Sequence, residues 1–210
     1  MHFFKLILLI AAISFFSYFL TTTVVDIVLM GRLDFCLSAK ANAKEFLITK
    51  ANRIDFQDGF KCSGFSSAFV MRHWNIGADG NSVYEKMPNK MQGGYVYPKG
   101  IFNFLSENGF KVKYCRGNLN ALKNAVAGGN PVIVLIKIRA DKSWLHYVPV
   151  VGYDEQNIFI AESLSELSNC SEPHYNRRIS EKEFKKLWNT AMPKMPLYAN
   201  TFFSLQKTEK

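Results

Sequence analysis

Three apolar, strand-like runs in the second half of the sequence constrain the fold most. Val132–Ile136 is a β-branched run suited to a central strand, and the stretches Tyr147–Tyr153 and Asn157–Ala161 follow it. The last two are separated only by Asp154-Glu155-Gln156, a hairpin-like turn. We therefore expect an antiparallel sheet built from the C-terminal half of the chain.

Helical patterns dominate the part of the soluble sequence that precedes these runs. Ser63–Trp74 has apolar residues at helical spacing, and shorter helices are predicted at Ile101–Asn108 and Leu119–Val126. Further predicted elements are a strand at Phe110–Tyr114, a final helix around Ser180–Trp188 and a last strand near Thr201–Leu205. Helices first and an antiparallel sheet second predict an α+β fold.

The N-terminal segment is long and apolar enough to cross a bilayer. Phe3–Met30 is interrupted only by Lys5, Asp26 and a few hydroxyl residues. A cleaved signal would have a shorter apolar stretch, so we favour an uncleaved anchor in residues 1–30 over a signal segment. Residues 31–50 are then a linker, and residues 51–207 form one extracytoplasmic domain, which would be secreted if the segment were cleaved.

The charge pattern argues against nucleic-acid binding. The chain has 26 Lys and Arg against 17 Asp and Glu, a formal charge of +9, but the basic residues are diffuse. In the stretch 181–186, for example, lysines alternate with glutamates, as on a solvated helix face. The expected partners are therefore the membrane and a substrate, with no nucleic acid.

The four cysteines are too far apart to predict a metal site. Cys36, Cys62, Cys115 and Cys170 contain no Cys-x-x-Cys pair, and no metal or other cofactor is expected. If the domain is exported, Cys115 and Cys170 could form a disulfide while Cys62 stays reduced. Two free buried thiols are the alternative, and Cys36 is interpreted as an ordinary linker cysteine.

The strongest chemical signal is a cysteine at the predicted start of a helix. Cys62 follows the turn-rich stretch 56–61, and a helix N-terminus stabilises a thiolate, the form that attacks a carbonyl carbon. His146 begins one predicted strand and Glu162 ends the next. A hairpin brings those ends together, so that Glu162 would accept a hydrogen bond from His146 while the other ring nitrogen faces the thiol.

These residues resemble the bacterial cysteine peptidases of family thirty-nine, a papain-like group that includes the double-glycine leader peptidases of bacteriocin exporters. The resemblance runs from about Ile54 to Gln206. Its landmarks are a glutamine shortly before the cysteine, the run at Gly129–Val134, the stretch His146–Asp154 and an acidic residue closing the next strand. It implies a papain-like fold in which helices carrying the cysteine pack on an antiparallel sheet carrying the histidine.

The resemblance also assigns roles. Cys62 would be the nucleophile, His146 the general base, and Glu162 the residue that orients His146. Gln57 would stabilise the oxyanion together with the backbone N–H of Cys62. The family usually has Asp where this chain has Glu162, and Gly where it has Ser63.

We predict a membrane-anchored cysteine peptidase that cleaves a peptide or protein substrate through an acyl-thioester. Side chains of 87–100 and 141–145 are expected to line the substrate groove. One alternative is an NlpC-type cell-wall peptidase, because Cys62-Ser63-Gly64-Phe65 resembles that family's nucleophile box. The other is a catalytically inactive binding or immunity-like module on the same fold.

Overall fold

An eight-stranded sheet organises the chain in the computed structural model, which describes residues 2–208. The strands are β1 (Asp34–Cys36), β2 (Phe46–Leu47), β3 (Phe110–Gly117), β4 (Val132–Lys137), β5 (Leu145–Tyr153), β6 (Asn157–Ile160), β7 (Arg177–Ser180) and β8 (Thr201–Lys207). The helices are α1 (His2–Met30), α2 (Cys62–His73), α3 (Gly80–Lys86), α4 (Pro98–Glu107), α5 (Leu119–Ala127) and α6 (Glu181–Trp188). A short 3₁₀ turn covers Ser165–Leu167.

The sheet is almost entirely antiparallel. Its main path runs β1-β3-β8-β4-β5-β6-β7, and β2 pairs with the last two residues of β5, Gly152 and Tyr153. Only the pairing of β1 with β3 is parallel. The predicted α+β fold is therefore confirmed, and the predicted hairpin between the second and third runs is the β5–β6 pair.

Both faces of the sheet are covered, as the central strand illustrates. Along β4, Ile133 and Leu135 point into one apolar cluster, whereas Val132, Val134 and Ile136 point into another. The first cluster includes residues of α2, α3 and α4, and the second includes residues of α5 and α6. Successive side chains of a strand alternate between faces, so a continuous apolar run fits a strand that is buried on both sides.

The segment 31–50 differs from the connecting arm that the sequence suggested. It supplies β1 and β2, which add two short strands to the sheet. Helix α3 and strand β7 were also not predicted. All four elements are short, and β1 and β2 pair with strands that are distant along the chain.

The disulfide also differs from the predicted possibilities. Cys115 is bonded to Cys36, with 5.6 Å between their Cα atoms, and Cys170 is a free, partly exposed cysteine. Strand β1 lies parallel to β3 with Asp34 opposite Cys115. Cys36 is two residues further along β1, on the same face of the sheet as Asp34, and therefore lies diagonally across from Cys115. Cys36 is therefore part of the folded domain's framework, and the suggested pairing of Cys115 with Cys170 is wrong.

We expect reduction of this disulfide to destabilise the protein. The two cysteines are 79 residues apart, and closing a loop of that length corresponds to about 4.5 kcal/mol in the chain-entropy treatment. Urea unfolding with and without reductant should show a loss approaching that value. The Cys36→Ala variant should show no further response to reductant, and a Cys170→Ala control should respond like the wild type. Equal responses from all three proteins would contradict the assignment.

Helix α1 has two parts with different surroundings. The described side chains of Phe3–Leu20 are all exposed, whereas Asp26 and Met30 are buried against the rest of the protein. Phe3–Met30 is long and apolar enough to cross a membrane, and an N-terminal signal sequence has the same properties. The helix is therefore a candidate membrane span whose last two turns pack on the folded domain.

Candidate active site

Cys62 is the first residue of α2, as the sequence predicted to within one position. The preceding residue, Lys61, makes no side-chain hydrogen bond to the helix end. No backbone carbonyl of the described residues accepts a hydrogen bond from the N–H of Cys62 or Ser63. Because the first turn of a helix has unpaired N–H groups, these two donors are free to bind a developing negative charge.

The first turn of α2 is packed closely on α3. A Cβ atom at Gly64 would lie 2.4 Å from the carbonyl oxygen of Gly80, so only glycine permits this approach. Ser63, one of the two departures from the family pattern, is buried, and its hydroxyl oxygen has no hydrogen-bond partner among the described residues. Cys62 is the first residue of α2 with serine at this position.

His146 lies near the start of β5, and the Cys62 side chain beside it helps to raise the pKa of the imidazole. The Oγ of Ser66 donates a hydrogen bond of 2.8 Å to the carbonyl oxygen of Tyr147, the residue that follows His146. This bond ties α2 to β5 next to the two side chains. The cysteine and the histidine come from the helical part and the sheet, as predicted.

Glu162 contacts the other side of the imidazole. Its Oε1 atom lies 2.6 Å from Nε2 of His146 and also accepts the backbone N–H of Leu164 at 2.8 Å. The histidine and glutamate side chains are both buried, which excludes competing water. Nε2 is occupied by Glu162, so the remaining ring nitrogen, Nδ1, is the one available to Cys62.

Arg177 is a member of this cluster that sequence reasoning missed. Its guanidinium Nη1 lies 2.8 Å from Oε2 of Glu162, and both side chains are buried. The neighbouring Asn176 holds the backbone of Glu162, accepting its N–H at 2.7 Å and donating to its carbonyl oxygen at 2.9 Å. In β7, burial alternates so that Arg177 and Ile179 both point inward, and an inward-facing charge in such a pattern indicates a buried partner.

The cluster favours an ionised histidine and an ionised glutamate. Burial alone would lower the pKa of His146, but the Glu162 carboxylate and hydrogen bonds with Cys62 and Glu162 raise it to about 10. Burial alone would raise the pKa of Glu162, but His146 and Arg177 lower it to about 2. At neutral pH the pair is therefore an imidazolium and a carboxylate.

These shifts predict how stability depends on pH. The raised pKa of His146 stabilises the fold fully below about 6.5, and this contribution is lost as the pH rises towards about 10. The lowered pKa of Glu162 stabilises the fold above about 4.5, and this contribution is lost as the pH falls towards about 2. The difference in unfolding free energy between wild type and Glu162→Gln should thus be largest between about pH 4.5 and about pH 6.5, where both contributions are complete. Urea unfolding from about pH 2 to about pH 10 measures it, and a difference that did not vary with pH would refute the ion pair.

Gln57 is held beside Ser163, the residue that follows Glu162. Its backbone N–H donates to the carbonyl oxygen of Ser163 at 2.8 Å, and its Oε1 accepts the Ser163 hydroxyl at 2.7 Å. The amide Nε2 donates to the carbonyl oxygen of Gly59 at 2.6 Å. The Ser163 hydroxyl, which donates, and the Gly59 carbonyl, which accepts, together fix which end of the Gln57 amide carries the N–H groups. One of the two amide N–H groups remains for another acceptor.

A cavity of about 520 Å³ opens beside Cys62. This volume lies within the range of about 300–1,000 Å³ that is usual for ligand sites. Met91, the stretch 95–98 and the stretch 143–145 line it, so both segments predicted for the substrate groove contribute. Helix α1 also lines it, which the sequence did not indicate.

Comparison with known proteins places this geometry in a family. The model of the Peptidase_C39 like family matches residues 49–193. No curated protein sequence matches the chain.

Solved structures share the fold at low sequence identity. A putative C39-like peptidase from Bacillus anthracis is 14% identical, with a TM-score of 0.60 over 80% of this chain and 100% of the other. A double glycine motif protease from an AMS/PCAT transporter, in complex with the leader peptide, is 14% identical, with a TM-score of 0.54 over 77% and 98%. The Carica candamarcensis cysteine protease CMS1MS2, in complex with E-64, is 13% identical, with a TM-score of 0.56 over 80% and 100%.

The two kinds of comparison agree with the fold and with the resemblance seen in the sequence. The family model covers more than half of the chain, and it is the model of the family that the sequence resembles. The chain is a cysteine peptidase of papain-like fold, and it belongs to the Peptidase_C39 like family.

Proposed function

We propose that the protein is a membrane-anchored cysteine peptidase that hydrolyses a peptide bond with Cys62, His146 and Glu162. One observation carries the proposal: a buried imidazole whose Nε2 contacts a buried carboxylate lies beside Cys62, the first residue of α2. The proposed peptidase domain comprises residues 51–207, with residues 31–50 attached to it by β1, β2 and the disulfide.

The reaction would proceed in two halves. The Cys62 thiolate attacks the carbonyl carbon of the scissile bond, and the carbon–nitrogen bond breaks as His146 gives its proton to the leaving amine. Water then attacks the acyl-thioester, with His146 accepting a proton from it, and the Cys62 sulfur leaves. The Glu162 carboxylate stabilises His146 whenever the imidazole carries its second proton, and Arg177 in turn keeps that carboxylate ionised.

Gln57 and the start of α2 would stabilise the oxyanion. The backbone N–H of Cys62 has no carbonyl acceptor among the described residues, and one amide N–H of Gln57 is free of the contact with Gly59. Ser163 orients the Gln57 amide through the same strand end that carries Glu162. The two donors are therefore set before substrate binds, which is how an oxyanion hole lowers the barrier.

The geometry favours a catalytic domain over an inactive module on this fold. The inactive alternative rested on Ser63 and Glu162, the two departures from the family pattern. Glu162 still reaches Nε2 of His146 at 2.6 Å, and α2 begins at Cys62 with Ser63 in its first turn. Asp154, the nearby carboxylate that could replace Glu162 if its side chain did not reach His146, instead accepts hydrogen bonds from Gln156 and Asn157 in the turn between β5 and β6.

We further propose that α1 is a single-pass anchor and that the catalytic domain is extracytoplasmic. The exposed apolar surface of Phe3–Leu20 supports the anchor, because it is unsuited to water but suited to lipid. The disulfide between Cys36 and Cys115 supports the location, because such bonds persist in oxidising compartments. The substrate would be a peptide, as the leader peptide is in the complex of the double glycine motif protease.

The decisive experiment compares the two free cysteines. We expect Cys62→Ala to lower kcat/KM on a peptide library by at least about 10⁴-fold, since the thioester cannot form. Cys170→Ala, which removes a cysteine outside the cluster, should leave activity unchanged. Cleavage products are measured by mass spectrometry with the full-length protein in detergent.

A thiol-reactive peptidyl probe gives an independent measurement. It should label wild type and Cys170→Ala at Cys62, and it should label His146→Ala much more slowly because the imidazolium that supports the thiolate is missing. Equal labelling of wild type and His146→Ala, or cleavage retained in Cys62→Ala, would refute the mechanism.

A further inference from the structure

The last two turns of α1 are fixed to the catalytic domain. Met30 is fully buried in the same apolar cluster as Cys62, and Oδ2 of Asp26 accepts the backbone N–H of Leu197 at 3.0 Å. Six residues after the helix ends, Cys36 is bonded to Cys115. The end of α1 is therefore fixed by the contacts of Asp26 and Met30 with the domain and by the disulfide that follows the helix.

These turns form one wall of the cavity beside Cys62. Val25, Asp26 and Leu29 line it, all from α1. The other walls are mainly apolar or aromatic and include Leu135, Trp144, Tyr147, Met195 and Tyr198. A substrate side chain that enters the cavity from a peptide bound at Cys62 would thus meet apolar walls and the end of α1.

Among the described residues that line this cavity, Asp26 is the only carboxylate. The residue is 1% exposed, and its one described hydrogen bond comes from a neutral backbone N–H. None of the ion pairs formed by the described residues includes it. Lys194 also lines the cavity, but its side chain is in the exposed class and makes no ion pair with Asp26. A buried carboxylate without a cation is costly, and a cationic ligand would offset that cost.

We propose that Asp26 and the apolar walls form a subsite for a basic side chain, lysine or arginine, of the peptide substrate. The inference rests on the proposed peptidase function and adds the substrate class. The aliphatic stem of a basic side chain packs on apolar walls, while its charged end forms a charge-assisted hydrogen bond with a carboxylate. Helix α1 is then part of the substrate site as well as an anchor.

The test uses the full-length protein in detergent and peptides that differ at one position. In a cleaved parent peptide, each position on either side of the scissile bond is replaced in turn by arginine or by norleucine, which has a similar apolar stem without charge. We expect one position at which wild type prefers arginine, and Asp26→Asn should lower kcat/KM for that peptide by roughly 10- to 100-fold, the range for one hydrogen bond to a charged group. The norleucine peptide should be cleaved equally by both proteins.

Asp26→Asn keeps an oxygen that can accept the Leu197 N–H, so the fold should be retained. Equal labelling of Cys62 by iodoacetamide in variant and wild type checks this, and Glu155→Gln, an exposed charge removal, is the matched control. A second variant, Asp26→Lys, should reverse the preference towards glutamate at the same position.

The outcomes separate the two proposals. Cleavage that depends on Cys62 but shows no arginine preference, or a preference that persists in Asp26→Asn, overturns the subsite and leaves the peptidase function intact. The absence of any Cys62-dependent cleavage overturns both.

Discussion

Glu162→Gln is expected to lower kcat/KM by roughly 10³- to 10⁴-fold while leaving Cys62 in place. Replacing the buried carboxylate of a nucleophile–histidine–carboxylate triad by an amide has an effect of that size. In this protein the amide would remove the negative charge that lies between His146 and Arg177. The imidazolium would lose its main electrostatic support, and its tautomer would no longer be fixed.

Glu162→Asp is the informative control for this prediction. It keeps the charge and has the carboxylate that related enzymes usually carry, but its side chain is one methylene shorter. We expect it to retain much more activity than Glu162→Gln, because only the contact between the carboxylate and Nε2 of His146 would be weakened. Steady-state kinetics on one cleaved peptide, over a range of pH, measures both variants. Similar rates for wild type and Glu162→Gln would show that the carboxylate does not act in the reaction.

Arg177→Met is expected to give the largest loss of stability among single substitutions in this cluster. The side chain is buried, and its removal leaves Oε2 of Glu162 without its cation at 2.8 Å. Breaking one side of a buried ion pair typically costs about 3–5 kcal/mol. Activity should fall as well, because the carboxylate that supports His146 becomes less strongly ionised.

Arg178→Met provides a matched control at the next position along β7. Arg178 points outward in the alternating burial pattern of that strand and stacks on Phe159 and Tyr175. Its replacement should change the unfolding free energy by no more than about 1 kcal/mol, as for other surface contacts. Urea unfolding of the three proteins at neutral pH makes the comparison. Equal stabilities for the two variants would contradict a structural role for Arg177.

The sequence predicted the parts of the fold that carry strong local patterns. Helix α2 has apolar residues at helical spacing, and β4 and β5 are long β-branched or apolar runs, so their positions were predicted to within a few residues. The contact between His146 and Glu162 followed from a hairpin whose turn residues were recognisable. Local propensity was sufficient for these elements because tertiary structure agrees with it.

The missing parts depend on partners far along the chain. Strand β1 has three residues, and no local signal indicates that it lies parallel to β3 or that Cys36 meets Cys115. Arg177 contacts Glu162 across 15 positions, and only the alternation of β7 would have suggested that it points inward. The approach of α1 to the cavity likewise follows from packing that no pattern in the helix specifies.

The packing of the last turns of α1 has a consequence for how substrates arrive. With the exposed stretch that ends at Leu20 placed in a bilayer, the helix rises only about 8 Å from Thr21 to Asp26. The entrance beside Cys62 would then open close to the lipid headgroups. A peptide attached to the same membrane would reach it by lateral diffusion and at a high effective concentration, whereas a freely dissolved peptide would have to reach it from the bulk.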